Sequence, residues 1–126
     1  MRTGVFFCQL DDQWNTDIDA IAKYSANLPD VETVQNLGVM PLLDYKTLSE
    51  KISSKNLDRV VIAGDIPGYF KPVFTKAMAS SGGNVNEVRL ASFMEHGAKN
   101  GNSMDRAKAI VACATIGIPF SLAAIP

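Results

Sequence analysis

The side chains that could do chemistry are few, and they follow short apolar runs. Cys8 lies near the end of one run, Asp65 follows a second, and Glu95 and His96 follow a third. Pro67 lies in the loop after Asp65. A thiol and an imidazole can form a nucleophile pair, and with carboxylates they can also ligate a metal ion. One interpretation is therefore a free-standing enzyme or small-ligand-binding domain that uses Cys8, Asp65, Glu95 and His96, with Pro67 in the same candidate site.

Each of these residues also has a plainer structural interpretation. A cysteine inside an apolar strand, as at Cys8, is more often buried and inert than reactive. An aspartate at a strand end, as at Asp65, more often closes a turn than binds a cation. A lone loop histidine such as His96 is more often hydrogen-bonded than catalytic. The residue types alone do not name a reaction.

The sequence does not favour a nucleotide cofactor. Dinucleotide-binding folds place a glycine-rich turn after the first strand, so that the backbone can approach a pyrophosphate. Here residues 10–15 contain two aspartates and Trp14 instead. The loop at residues 64–70 has two glycines, but Asp65 opposes an anion and no Walker-type lysine follows. We expect no cofactor.

Apolar runs alternate with segments of helical periodicity, which is typical of successive βα units in a parallel sheet. The second run alternates in polarity, which is typical of a half-exposed or edge-side strand. Capping residues, prolines and glycines mark the limits of the helices. Strands are predicted at residues 4–10, 31–37, 59–65 and 88–93. Helices are predicted from Asn15 or Thr16 to Pro29, from about Asp44, around Pro72 up to Gly82-Gly83, and from about Ser103.

These elements predict one α/β domain over residues 1–126, a three-layer Rossmann-like fold. It would have a mostly parallel four-stranded sheet and about four helices. Ligands of open α/β sheets bind beyond the carboxyl ends of the strands. The loops after Leu10, Asp65 and Phe93 should therefore share one rim.

Charge and composition narrow the partners and the compartment. Twelve basic and thirteen acidic residues are scattered along the chain, so a nucleic-acid partner is not expected. The N-terminus opens directly into a strand-like run and the chain has two cysteines, which favours a reduced, cytoplasmic setting. Residues 109–126 are uncharged but interrupted by Gly117, Pro119 and Pro126, so no membrane span is expected. The apolar tail at residues 117–126 is expected to pack on this domain, on a second copy, or on a neighbouring protein.

Four segments carry a family resemblance. They are Arg-Thr-Gly-Val-Phe-Phe-Cys at 2–8, Arg-Val-Val-Ile-Ala-Gly-Asp-Ile-Pro at 59–67, Phe-Lys-Pro-Val-Phe at 70–74, and Ala-Ser-Phe-Met-Glu-His at 91–96. In order and spacing they resemble the N-terminal domain of the flavin-containing iron–sulfur subunit of heterodisulfide reductase. The resemblance covers nearly the whole chain.

The departures from that family concern its cofactors. Family members hold a [4Fe–4S] cluster with cysteines at the strand ends. Here Cys8 is kept, but Leu10, Asp65 and Gly97 stand at the other positions, and residues 40–41 include no cysteine. A flavin fingerprint is also missing. The resemblance thus implies a cluster-less, non-catalytic accessory or docking module, whose partners are flavin or iron–sulfur subunits of an electron-transfer complex.

Overall fold

The computed structural model describes residues 1–10, 17–94 and 104–118. The strands are β1 (Thr3–Gln9), β2 (Val31–Val39), β3 (Arg59–Gly64) and β4 (Val88–Ser92). The helices are α1 (Ile18–Ser25), α2 (Tyr45–Ser54), α3 (Lys71–Ser80) and α4 (Met104–Ile116). Two short 3₁₀ helices, Pro67–Phe70 and Val85–Glu87, precede α3 and β4.

The sheet has the strand order β2-β1-β3-β4, and its three pairings are all parallel. Helices α1 and α4 pack on one face, and α2 and α3 pack on the other. The fold is therefore a three-layer α/β arrangement of the Rossmann-like kind, as the sequence predicts, and β2 is an edge strand. Within the described residues, no helix is both long and apolar enough to cross a membrane.

The core is divided by the sheet into two apolar clusters. Successive side chains of a strand point to opposite faces. Val5 and Phe7 accordingly pack with α1 and α4, while Phe6 and Cys8 pack with α2 and α3. All seven residues of β1 are buried. This central strand fixes where the other strands end.

Local sequence signals explain most element limits, with corrections at α1. The cap of α1 is Asp17 and not Asn15 or Thr16, because its extended backbone lets its carboxylate accept a hydrogen bond from the Ala20 amide at 3.1 Å. The helix ends at Ser25, before Pro29, so the proline follows the helix and does not end it. Helix α2 begins just after Asp44, and Pro72 lies in the first turn of α3, both as predicted; the structure adds that the Asp44 carboxylate caps α2.

Strand β2 runs two residues further than predicted, to Val39. Its register against β1 shifts between Phe7 and Cys8, where Gly38 pairs with Cys8. Gly38 has a φ of +88°, which a residue with a side chain rarely adopts. Pairing continues beyond this irregularity, because Gln9 pairs with Val39 and the Met40 amide donates to the Gln9 carbonyl at 2.6 Å.

Candidate functional site at the strand ends

The carboxyl ends of the strands meet at one edge of the sheet. The Leu10 amide, just after β1, donates to both carboxylate oxygens of Asp65 at 3.0 and 3.1 Å. The Phe93 amide, just after β4, donates to the Gly64 carbonyl at 2.8 Å. The predicted convergence of the loops after Leu10, Asp65 and Phe93 is therefore found, and hydrogen bonds join these ends.

Asp65 is the polar centre of this edge, and its side chain is almost fully buried at 1% exposure. Besides the Leu10 amide, its carboxylate accepts a hydrogen bond from the Ile66 amide at 2.8 Å. Its backbone carbonyl accepts one from the Ser92 hydroxyl at 3.3 Å. The residue thus ties together the ends of three strands. This is the turn-closing role expected of an aspartate at such a position, extended to a neighbouring strand.

Gly64 is required by strand packing. A Cβ added at this position would lie 2.0 Å from the Cys8 carbonyl oxygen, which belongs to the backbone of β1. The absence of a side chain lets β1 and β3 approach each other at their ends. The Cys8 carbonyl therefore fills the space beside Gly64 that a phosphate would need.

The Cys8 side chain faces the core and not the edge. It is fully buried in the cluster that contains Leu48, Ile52 and Phe74, and burial raises the pKa of its thiol to about 12. The thiolate, not the thiol, is the nucleophile and the metal ligand. The structure therefore agrees with the buried interpretation of Cys8. It does not support the interpretation in which the thiol is reachable by solvent.

The remaining predicted site residues are placed only in part. Pro67 is buried as the first residue of the 3₁₀ helix that leads into α3, where its missing N–H is harmless. Glu95 and His96 lie outside the described residues, as do residues 11–16 and the tail from residue 119. The role of Glu95 and His96 at the strand-end edge remains a prediction.

The residues present do not fit an iron–sulfur cluster. Cys8 belongs to the face covered by α2 and α3, whereas Cys113 is carried by α4 on the opposite face. These two are the only cysteines in the sequence. A [4Fe–4S] cluster needs four thiolates or equivalent ligands at one place. In the described part of the chain, no three His, Cys, Asp or Glu side chains are grouped to hold a metal ion.

Sequence reasoning missed a set of exposed apolar side chains at the same edge. They lie at the end of β2 or in the segments after β2, β3 and β4, and we call them the apolar rim. Leu42 is fully exposed, and the others are about half-exposed. The available signal was the five-residue apolar run at 39–43, which begins at the last residue of β2 and continues into the loop. The apolar rim consists of Val39, Met40, Leu42, Ile66, Tyr69 and Met94.

A shallow groove of about 320 Å³ adjoins the apolar rim between the end of β2 and the start of α2. Its walls are mainly leucine side chains, including Leu37, Leu43 and Leu48. Asp44 and Lys51 supply polar groups at its border. The groove extends the apolar surface from the loop after β2 towards α2.

Comparison with known proteins adds no functional assignment. No protein-family model matches the chain, and no curated protein is significantly similar to it. The solution structure of a phosphate-loop protein is similar to the chain, with a TM-score of 0.47 and 19% sequence identity. That similarity covers 79% of this chain and 90% of the other. Similarity at this level does not indicate what the chain does.

Proposed function

We propose that this chain is a non-catalytic docking module of a heterodisulfide-reductase-like electron-transfer assembly. Its apolar rim would contact a flavin or iron–sulfur partner protein. The observation that carries the proposal is the concentration of exposed apolar side chains at the edge where the resembled family holds its cluster. In this chain that edge has Leu10 and Asp65 in place of cysteines.

The members of the apolar rim lie at the ends of three of the four strands. Of these, β2 and β4 are separated by three strand spacings, about 14 Å in all. Exposed apolar side chains gathered at one edge of a folded protein favour an interaction site more than single exposed residues do. Covering a half-exposed apolar side chain contributes about 1 kcal/mol at roughly 25 cal/mol per Å². The apolar rim could therefore supply several kcal/mol to association.

Leu42 is the strongest anchor within the apolar rim. It is fully exposed, and it lies two residues after Met40, whose amide is held by the Gln9 carbonyl. Pro41 restricts the backbone between them. A side chain presented on a restrained loop loses little conformational freedom on binding, which favours affinity. Leu42 should therefore contribute more to docking than the other members of the apolar rim.

Affinity capture of the tagged full-length chain from its native host tests the proposal. We expect wild-type protein to recover a partner with the absorbance of a flavin or an iron–sulfur cluster. Leu42→Asp should reduce that recovery by about tenfold, a loss typical of an interface anchor. Val85→Asp is the matched control, because Val85 is also half-exposed but lies before β4, away from the apolar rim.

Two results would contradict the proposal. One is recovery of the wild-type chain alone, with no flavin or iron–sulfur partner. The other is an equal loss of partner in Leu42→Asp and Val85→Asp, because the apolar rim would then not be the docking surface. Thermal unfolding of both variants should show that each remains folded, since both positions are on the surface.

A further inference from the structure

The starts of α2 and α3 lie beside the apolar rim and carry positive charge. Both helices connect parallel strands, so they run back along the sheet from the edge where the strands end. Lys46 is the second residue of α2 and comes shortly after Leu42, and Lys71 is the first residue of α3 and comes shortly after Tyr69. Both lysines are exposed. They therefore border the apolar rim on the face of the sheet that α2 and α3 cover.

This arrangement opposes the usual preference of helix starts for acidic residues. The positive end of a helix dipole is stabilised by Asp or Glu, and it disfavours Lys. Helices α1 and α4 follow this preference, with Asp19 and Asp105 in their first turns. Helices α2 and α3 have no acid in their first turns. The stability of the helices therefore does not account for lysines at these two starts.

The two lysines make no ion pair within the described part of the chain. The acid nearest to Lys46 in sequence is Asp44, whose carboxylate caps α2 and accepts a hydrogen bond from the Lys46 amide at 3.1 Å. A third lysine adds to the charge, because the Nζ of Lys76 lies 4.1 Å from the centre of the Tyr45 ring at the first position of α2. The charges of Lys46 and Lys71 are thus available to a partner.

We propose that the partner protein docked on the apolar rim presents an acidic patch to Lys46 and Lys71. This inference rests on the proposed function and adds the chemistry and the orientation of the bound surface. An apolar area of the partner would cover Leu42 and Tyr69, and carboxylates beside that area would face the two lysines. Charges at the border of an interface steer association and fix its register. A nucleic acid is a poorer occupant, because two lysines beside apolar side chains offer few phosphate contacts.

The test uses the flavin or iron–sulfur protein that is recovered with the tagged full-length chain. Surface plasmon resonance measures its binding to immobilised wild-type and variant chains at about 0.05 and about 0.3 M salt, which changes the screening of exposed charges. We expect Lys46→Glu and Lys71→Glu each to slow association by about fivefold at the lower salt, and by less at the higher salt. Leu42→Asp should instead speed dissociation, because it removes an apolar anchor.

Two controls separate the position of the charge from the net charge. Lys55→Glu makes the same change at the other end of α2, about 15 Å away for its ten residues, and should slow association by less than about twofold. Lys46→Arg keeps the charge and should associate as the wild type does. Thermal unfolding without the partner adds a third measurement. Lys46→Glu should raise the Tm by about 2–4 °C, whereas Lys55→Glu, at a helix end that favours cations, should not.

Several results would overturn this inference. Normal association of both Lys46→Glu and Lys71→Glu would remove the acidic patch, and docking on the apolar rim would still stand if Leu42→Asp dissociates faster. An equal effect of Lys55→Glu would assign the change to net charge and not to this surface. A Tm below that of the wild type for Lys46→Glu would show that this lysine does not oppose the helix. If no flavin or iron–sulfur partner is recovered, the proposed function fails and this inference fails with it.

Discussion

At the edge where the strands end, the buried groups differ in character from the exposed ones. We call the buried groups the inner layer of this edge and the exposed groups its outer layer. Inside, Gly64 lies against the Cys8 carbonyl, and the buried Asp65 carboxylate accepts from the amides of Leu10 and Ile66. Outside, the fully exposed Leu42 is one of a set of apolar side chains that border the strand ends. The inner layer is closed by backbone contacts, and the outer layer offers apolar surface. This difference is the observation behind the proposal that the edge docks another protein.

The largest expected effect comes from opening the inner layer at Gly64. Gly64→Ala would place a Cβ 2.0 Å from the backbone oxygen of Cys8, so β1 and β3 must separate. We expect a loss of at least about 3 kcal/mol in the free energy of unfolding, measured by urea denaturation.

Gly68→Ala is the matched control for this substitution. Its new Cβ would lie 3.9 Å from Leu90 Cδ1, which is an ordinary contact. We expect a change within about 0.5 kcal/mol. Equal stabilities for the two variants would show that the ends of β1 and β3 are not in tight contact.

The next effect concerns the Asp65 carboxylate. Asp65→Ala would leave the amides of Leu10 and Ile66 without this acceptor at a part-buried site. We expect a loss of about 2–3 kcal/mol by thermal or urea unfolding. Asp65→Asn keeps an acceptor oxygen and should recover a good part of that loss. If Asp65→Ala is as stable as wild type, the carboxylate does not hold the inner layer closed.

Much of the fold could be predicted from local patterns. The apolar, β-branched run of β3 and the start of α2 near Asp44 are set by neighbouring residues, and both are found as predicted. The alternating run of β2 indicated a half-exposed or edge-side strand, and the structure places it at the edge. Helix limits are harder to predict where several capping residues compete, and the cap of α1 is Asp17 and not Asn15 or Thr16.

The site was harder to predict, because it depends on contacts between distant residues. The need for glycine at position 64 follows from the approach of Cys8, which lies on another strand. The sequence predicts that the strand ends converge. It does not show whether the Cys8 side chain points to the core or to the strand-end edge, because that depends on the alternation of side chains along β1. To predict the apolar rim, one must know which loops no other part of the protein covers. Leu42 shows that a leucine in a loop can remain fully exposed.

A smaller effect is expected at the amino end of the sheet, where Glu87 pairs with Arg59. The hydrogen bond from Arg59 lowers the pKa of Glu87 below its ordinary 4.5, with a further contribution from Arg89. A carboxyl group with a lowered pKa stabilises the folded state above the unfolded pKa. That stabilisation is lost as the pH falls through the folded pKa.

Glu87→Gln should therefore lower stability by about 1–2 kcal/mol at neutral pH, and the deficit should shrink as the pH falls below 4.5. Urea unfolding over a pH series measures both. Glu32→Gln, which removes an exposed pair with Arg2 at 3.3 Å, should cost less than about 0.5 kcal/mol throughout. If the loss of stability in Glu87→Gln does not change with pH, the pair of Glu87 and Arg59 is not what stabilises the protein at this position. Docking through the apolar rim should be unaffected, because this pair lies at the other end of β3.

The smallest effect is expected at Cys8. It tests whether the sulfur belongs to the buried inner layer or reaches solvent at the strand ends. Removing one buried sulfur in Cys8→Ala should cost about 1 kcal/mol, as for other single-atom losses in a core. Partner recovery through the apolar rim should not change. With the thiol pKa raised to about 12 by burial, roughly one molecule in ten thousand carries a thiolate at pH 8. Native protein should therefore react with a thiol reagent at the half-buried Cys113 and not at Cys8.

Labelling of the Cys113→Ser variant isolates Cys8, which should react only when denaturant is added. Rapid native labelling of that variant would mean that the sulfur reaches solvent at the strand ends. The inner layer would then be open, and the interpretation of the edge as a thiol site would replace docking as the better account. Slow labelling together with unchanged partner recovery in Cys8→Ala would instead leave the exposed apolar side chains as the functional part of this edge.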